Sequence, residues 1–282
     1  MLNIWKNEHL AQRLNISLES LEKVAGDIES YCTIKPKITK KGKVRDVAQT
    51  EPLLKFIQRR ILDNLLTPIP LSPYAHGAVS ERSSKTNAMV HCSKRCVFGI
   101  DLKSCFPNIH STRVRKLFEE ALGCNPTVAS LLTRLTTFDY HLTQGFSTSA
   151  ALLNLICLPL DRKIQEFIAP KGLSYSRYID DVTISGDFIT EDTRDRIRAL
   201  IQEEGLILNH KKEFFSKGEK AAIVTGLNVN TAKPLVPQEY KRNLRAAKHN
   251  TLTKPAPDVH AAEKAARSVK GKEEYIKYIE VK

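Results

Sequence analysis

The chain has 282 residues, with 44 lysines and arginines against 31 acids, a net charge of +13 and 41% apolar residues. That length can bury a sizeable core, as one multi-lobed unit or as two domains, and the apolar share excludes a chain kept disordered by its charge. No apolar run approaches the ~18 residues of a membrane span, and residues 1–6 lack a secretory pattern, so a cytoplasmic protein with no membrane partner is expected.

Taken in chain order, residues 6–30 are expected as two helices. Trp5, Leu10 and Leu14 mark one face, and Ser17 caps a second segment carrying Leu18, Leu21 and Val24. Residues 31–47 have the pattern of a basic hairpin turning at Lys41-Gly42. Glu51-Pro52 opens a helix to about residue 66, with proline where its missing N–H costs little and Leu54, Ile57, Ile61, Leu62 and Leu65 facing the core. Pro68, Pro70 and Pro73 break that helix, and residues 77–84 are loop-like, with His76 and Arg82 as candidates to approach nucleic acid.

Residues 87–91 fit part of a helix, and residues 96–100 form a short apolar strand that ends on Asp101. Helices are expected over residues 125–138, begun by Asn125-Pro126, and over residues 147–167, with Leu152, Leu153, Ile156 and Leu160 facing inward. Residues 175–179 and 182–184 are β-branched and aromatic and flank Asp180-Asp181, which suits a hairpin turn because Asp tolerates unusual backbone angles. Thr190-Glu191 begins a helix through residue 204, and residues 221–229 are strand-like. Beyond Pro234 and Pro237, three basic helices are expected over residues 238–250, 259–269 and 271–279, with a linker at 253–257.

Residues 205–282 hold 16 lysines and arginines against 8 acids. Such a region attracts phosphate backbones in a salt-sensitive way, a balance it shares with ribosomal and membrane-surface proteins. The six cysteines are scattered and expected as reduced, buried thiols. His91, Cys92 and Cys96 have no second Cys or His pair at zinc-ligand spacing.

Asp180 and Asp181 repel each other unless both address a cation, and hard carboxylate oxygens select Mg²⁺ or Mn²⁺. An acid at the tip of a buried strand is costly as packing, which makes Asp101 a third ligand. Two strands carrying Asp101 and the Asp180/Asp181 pair would converge on two divalent ions roughly 3.5 to 4 Å apart, the arrangement that serves in-line phosphoryl transfer.

These residues carry a family resemblance. Tyr178-Ile179-Asp180-Asp181 resembles the Tyr-x-Asp-Asp box of reverse transcriptases, and residues 100–109, Ile-Asp-Leu-Lys-Ser-Cys-Phe-Pro-Asn-Ile, resemble the first catalytic block of that family. Residues 144–154, opening Gln-Gly-Phe-Ser-Thr-Ser, resemble its template- and nucleotide-contacting block. Gly205-Leu206-Ile207-Leu208-Asn209 with Lys211 and Lys212 resembles the block that follows. Asn87-Ala88-Met89-Val90-His91 and Val224-Thr225-Gly226 are similar to elements of bacterial retron reverse transcriptases and favour that branch over group II intron or diversity-generating relatives. The chain departs from the family at Cys105, where an aromatic is commoner, and at Ala150, where proline is usual.

The resemblance implies an α+β right-hand polymerase fold, with N-terminal helices and fingers over 1–95, a palm with a mostly antiparallel sheet and interleaved fingers elements over 96–230, and a helical thumb over 231–282. It implies RNA-directed DNA synthesis, with Asp101, Asp180 and Asp181, and a carbonyl near Leu102, holding two Mg²⁺ ions or Mn²⁺. Arg45, Lys43 and the backbone at Ser104 and Cys105 would meet the triphosphate, Phe106 would lie under the sugar, and Gln144 and Gly145 would contact the nucleotide. Lys212 aligns with the proton donor to pyrophosphate, with Lys211 beside it. Asn87, His91, Val224, Thr225 and Gly226 would recognise RNA. Further implied are a cognate non-coding RNA as template and primer, a guanosine 2′-hydroxyl start, a branched RNA–DNA product (msDNA), anti-phage defence with a separate effector, and host ribonuclease H. The alternatives are another bacterial reverse transcriptase, or a non-catalytic RNA-binding protein that keeps the fold.

Overall fold

The computed structural model describes residues 1–38, 42, 44–218, 220–253 and 258–280. The chain opens with α1 (Asn7–Leu14) and α2 (Leu18–Gly26), whose Leu10, Leu14, Leu21 and Val24 are buried, and the Ser17 hydroxyl caps α2 by accepting from the Ser20 N–H. Trp5 does not join this face. It precedes the helix and stays exposed, while Ile4 turns inward in its place. β1 (Cys32–Ile38) and β2 (Val44–Thr50) pair antiparallel as an exposed basic hairpin. The turn expected at Lys41, the contact assigned to Lys43 and most of the linker at 253–257 lie outside the described residues.

α3 (Pro52–Ile61) carries proline in its first turn and continues as a wider turn over Leu62–Leu66. The proline-rich loop after it is folded by Arg82, whose guanidinium donates to the carbonyls of Ser72, Pro73 and Ala75. His76 pairs with the Thr86 hydroxyl of the helix that follows, so both expected nucleic-acid candidates have partners within the fold. α4 (Ser84–Met89) follows, with a Ser83 capping box.

β3 (Cys96–Leu102) is buried along its whole length, as an apolar strand with two neighbours must be. It sits inside a four-stranded antiparallel sheet with β4 (Ser174–Tyr178), β5 (Asp181–Gly186) and β6 (Leu208–Lys217), in the order β4-β5-β3-β6. Between β3 and β6 come α5 (Ser111–Lys116), α6 (Pro126–Thr136), α7 (Ser149–Ile156), α8 (Leu158–Ile168) and α9 (Glu191–Glu203). The expected single helix over 147–167 divides into α7 and α8 at Cys157, because Pro159 has no N–H to donate and its ring crowds the preceding turn. α8 packs against β4, and α9 against β6.

The expected strand over 221–229 is instead a miniature hairpin of β7 (Ile223–Val224) and β8 (Leu227–Asn228). Thr225 and Gly226 both have positive φ, +45° and +80°, as a two-residue hairpin turn demands. The three expected C-terminal helices are two, α10 (Gln238–Thr253) and α11 (Val259–Glu280), since helix continues through Gly271 at modest cost. Lys241–Glu280 and Lys248–Glu273 ion pairs and the Tyr240–Tyr275 ring contact join them. The end of α11 returns to α4: the Tyr278 hydroxyl lies 2.9 Å from that of Ser83, and Ile279 is buried with Ala88, Val97, Val224 and Leu227.

Gly99 on β3 leaves room for the Phe214 ring of β6, which a Cβ would meet at 2.1 Å. Gly99→Ala is therefore expected to cost about 1–3 kcal/mol, read as a Tm lower by roughly 2–10 °C, and Phe214→Leu in the same chain is expected to recover part of the loss.

Candidate active site

The apex of the β4–β5 hairpin differs from the expected one. Its two-residue turn is Ile179-Asp180, while Asp181 is already the first residue of β5 and pairs with Tyr178. The positive φ falls on Ile179 (+57°), not on an aspartate, a rare conformation for a β-branched residue. Asp181 is also the cross-strand partner of Asp101 on β3, which brings the two carboxylates to the same end of the sheet. The Leu102 N–H donates to the Asp180 carbonyl at 2.8 Å and ties the turn to the tip of β3. Carboxylate oxygens of Asp101, Asp180 and Asp181 all lie within 4.8 Å of one another.

β6 reinforces this end of the sheet. Its pairing with β3 shifts register, running from Asn209 to Phe214 opposite only Asp101 to Gly99, and this bulge turns two donors onto one carboxylate. Lys212 Nζ lies 2.6 Å from Asp101 Oδ2, and Asn209 Nδ2 donates to Oδ1 at 2.6 Å. Of the two neighbouring lysines, Lys212 makes this contact.

Burial, followed by the charge of Asp101, raises the Asp180 carboxyl above its ordinary range, against the pull of Lys212 and Arg45. The Asp181 carboxyl, partly desolvated although the residue is exposed at the head of β5, and crowded by Asp180 and then Asp101, is pushed up to about 6. One ammonium thus serves three acids, and the remaining negative charge and free oxygens fit hard divalent cations.

A cavity of about 340 Å³ opens beside the acids, lined among others by Arg45 and Asp46 of β2, Leu102, Ser104, Cys105, Gln144 and Lys212. The Ala48 N–H donates to the Gln144 carbonyl at 2.7 Å, so the β1–β2 hairpin is docked onto this loop. Gly145 permits that docking: its φ is +107°, and a Cβ there would lie 2.3 Å from the Ala48 carbonyl oxygen. Burial raises the Cys105 thiol above its ordinary value, so its side chain is a neutral wall. Phe106 is half-buried against the core between two cleft residues, Cys105 and Pro107. A second cavity of about 200 Å³ lies on another side of the acids, between Thr183, Phe214 and the hairpin residues Ile223, Val224, Thr225 and Gly226.

Asn87 and His91 are fully buried, which corrects the expectation that their side chains meet RNA. The His91 ring bridges the hydroxyls of Ser185 on β5 and Ser176 on β4 at 2.7 Å each, and burial pushes its pKa down to about 3, so it stays neutral. Val224 is buried too, whereas Thr225 and Gly226 reach the surface. The Thr225 hydroxyl donates to the Ser84 carbonyl at 3.0 Å and ties the second retron-like element to the start of α4, the helix on which the first begins.

Sequence reasoning missed Asn209 as a partner of Asp101, and also a buried network under the turn. Arg177 and Asp161, with exposures of 0% and 1%, pair through two hydrogen bonds of 2.8 and 2.9 Å. An arginine immediately before the Tyr-x-Asp-Asp box and an aspartate at helical spacing from Ile164 and Ile168, on the apolar face of α8, were the available signals.

Residues 35–245 match the family described as reverse transcriptase (RNA-dependent DNA polymerase). The chain is 35% identical to the retron Mx65 reverse transcriptase of Myxococcus xanthus, over 93% of this chain and 66% of that one. It is 31% identical to the retron Ec86 reverse transcriptase of Escherichia coli, over 88% of this chain and 79% of that one. In fold it is similar to Candida albicans telomerase solved with a telomeric RNA fragment, with a TM-score of 0.52 at 11% identity over 87% of this chain and 56% of that one. It is likewise similar to a foamy viral protease–reverse transcriptase solved with double-stranded DNA, with a TM-score of 0.50 at 17% identity over 91% and 40%. Both share the right-hand polymerase fold expected above.

The raised Asp181 carboxyl fixes the sign of a pH dependence. The folded protein keeps this proton up to about pH 6 while the unfolded chain releases it lower, so the contribution to stability is lost as pH rises through that range. Without divalent cations, Asp181→Asn is expected to melt higher than the wild type, by a margin that widens between about pH 5 and about pH 7.5. Adding Mn²⁺ is expected to raise the wild-type Tm at the higher pH and barely at the lower, as thermal scans with and without the metal would read.

Proposed function

Since the chain belongs to the reverse transcriptase (RNA-dependent DNA polymerase) family, we propose that it is a retron reverse transcriptase that copies part of a cognate structured RNA into DNA. The observation that carries this reading is the cluster of Asp101, Asp180 and Asp181, flanked by one cavity with Arg45 and Gln144 and by another with Thr225 and Gly226. Residues 1–95, 96–230 and 231–282 serve as N-terminal helices and fingers, palm and thumb.

In this reading a dNTP occupies the larger cavity. Arg45 presents its guanidinium fork to the phosphate oxygens, and the backbone at Ser104 and Cys105 adds N–H donors. Gln144 and Gly145 shape the wall against β2, and Phe106, packed against the core beside the cleft residues Cys105 and Pro107, provides the floor that disfavours a 2′-hydroxyl. Asp101, Asp180 and Asp181, with the carbonyl at Leu102, would hold two Mg²⁺ ions, whose charge would acidify the attacking hydroxyl and stabilise the phosphoryl transition state. Lys212 donates the proton to departing pyrophosphate. The primer end occupies the smaller cavity, where the surface residues Thr225 and Gly226 meet RNA. Val224 lies buried beneath that surface, packed with Ala88 of the helix that carries Asn87, while His91 holds β4 to β5.

The basic helices α10 and α11 suit a template–primer duplex by neutralising its phosphates. Similarity to retron enzymes extends the proposal to priming from a guanosine 2′-hydroxyl, a branched msDNA product, and cytoplasmic anti-phage defence with a separate effector and host ribonuclease H. No described helix is long and apolar enough to cross a membrane.

The deciding experiment isolates the protein from its native host and tests the bound nucleic acid for DNA joined to RNA, beside RNA-templated dNTP incorporation by purified protein with Mg²⁺ or Mn²⁺. Wild type is expected to give both, and the double variant Asp180→Asn, Asp181→Asn neither. Lys212→Ala is expected to lower kcat by roughly 10²-fold with little change in dNTP KM. Protein that binds RNA yet incorporates no dNTP with either metal would instead be a non-catalytic RNA-binding member of the fold.

A further inference from the structure

We infer that Arg177 is a positioning residue for the carboxylate-bearing turn. With Asp161, Asn154 and Gly77 it holds the backbone of Ile179, and so sets where Asp180 and Asp181 present their oxygens to a divalent cation. The inference rests on the proposed polymerase reading only for its activity readout.

Arg177 lies on β4, one residue before the catalytic box, and its side chain is entirely buried. Nε and Nη2 donate to the two carboxylate oxygens of Asp161 on α8, at 2.8 and 2.9 Å. Nη1 donates to Asn154 Oδ1 on α7 and to the carbonyl of Ile179, each at 2.9 Å. The Tyr175 hydroxyl donates to the same Asp161 at 2.6 Å. The guanidinium is thus locked to two helices through its fork, and its remaining bond reaches the turn.

Gly77 closes the other side. Asn154 Nδ2 donates to the Gly77 carbonyl at 2.9 Å, and a Cβ on Gly77 would lie 2.6 Å from both the backbone nitrogen and Cγ1 of Ile179. Ile179 is the residue whose φ of +57° a β-branched side chain disfavours, so its conformation needs external support. Arg177 on its carbonyl provides that support, and the bare backbone of Gly77 leaves the room that this conformation of Ile179 needs. The next carbonyl, that of Asp180, is held by the Leu102 N–H, so a displaced Ile179 must move Asp180 relative to Asp101.

A buried ion pair is in general a weak source of stability, because desolvation offsets the attraction, and apolar residues would fill the same space between β4 and α8 at no such cost. What apolar residues lack is a donor for the turn carbonyl. Geometry at the site, more than stability, accounts for a charged pair here.

The test compares wild type with Asn154→Ser, Arg177→Lys and Gly77→Ala; the last touches no charge and pushes directly on Ile179. Mn²⁺ binding is titrated by electron paramagnetic resonance, with Tm measured in parallel and the half-activating Mg²⁺ concentration read from RNA-templated dNTP incorporation. Gly77→Ala and Arg177→Lys are expected to weaken Mn²⁺ binding about 10-fold or more and to raise the Mg²⁺ requirement in step, by more than any loss of Tm explains. Asn154→Ser is expected to show a smaller change in the same direction. Folded variants that bind Mn²⁺ like the wild type, whatever their Tm, would overturn the inference. If Gly77→Ala and Arg177→Lys do not fold, unchanged Mn²⁺ binding by Asn154→Ser would overturn it alone. A wild type that incorporates no dNTP, but whose variants lose Mn²⁺ binding as described, would sink the polymerase reading and leave Arg177 in this role.

Discussion

The structure turns on one cross-strand pair. Antiparallel pairing of β3 with β5 sets Asp101 opposite Asp181, and the tight turn before Asp181 adds Asp180 to the same corner. Like charges opposite one another destabilise a sheet, so this register has to be held by the strands behind it. β3 is buried throughout, with Phe98 and Ile100 in the main core, and a slip of one residue would turn those side chains out and Asp101 in. The apolar core thus confronts carboxylates that would otherwise separate. Lys212 and Asn209 offset part of this charge at Asp101, and what remains on the three acids is left for a cation.

The remaining parts address that corner from several directions. The β1–β2 hairpin brings Arg45 over the acids because the Ala48 N–H and the bare backbone of Gly145 let it dock closely. The β7–β8 hairpin walls the other cavity and is held to α4 through Thr225, while α11 folds back onto the same small core through Ile279. His91 staples β4 to β5 with a ring that burial keeps uncharged, and Arg177 braces the turn from α7 and α8. A residue with no access to solvent can therefore matter to chemistry several residues away by fixing backbone.

Where sequence and structure part, the reasons are local and physical. Proline at 159 divides a helix that apolar periodicity alone runs together, and Gly271 fails to interrupt one because helix tolerates a single glycine. Thr225-Gly226 reverses a segment that β-propensity reads as one strand. Asn87 lies in a short helix and His91 in the turn after it, and nothing in their spacing told a buried position from an exposed one. The turn is the sharpest case: residue preference assigns the unusual backbone angle to aspartate, while tertiary contacts impose it on Ile179.

The sequence by itself determined the family, the three acids, the basic C-terminal part and most helix and strand locations, because motif identity, charge and hydrophobic period are local properties of the chain. Only the tertiary structure decided that Lys212 and Asn209 share Asp101, that Asp181 belongs to a strand and Asp180 to the turn, and that Arg177, Asp161, Asn154 and Gly77 meet beneath Ile179. Those facts depend on register, on a bulge in β6 and on helices packed across long separations in sequence, where a shift of one residue changes every partner.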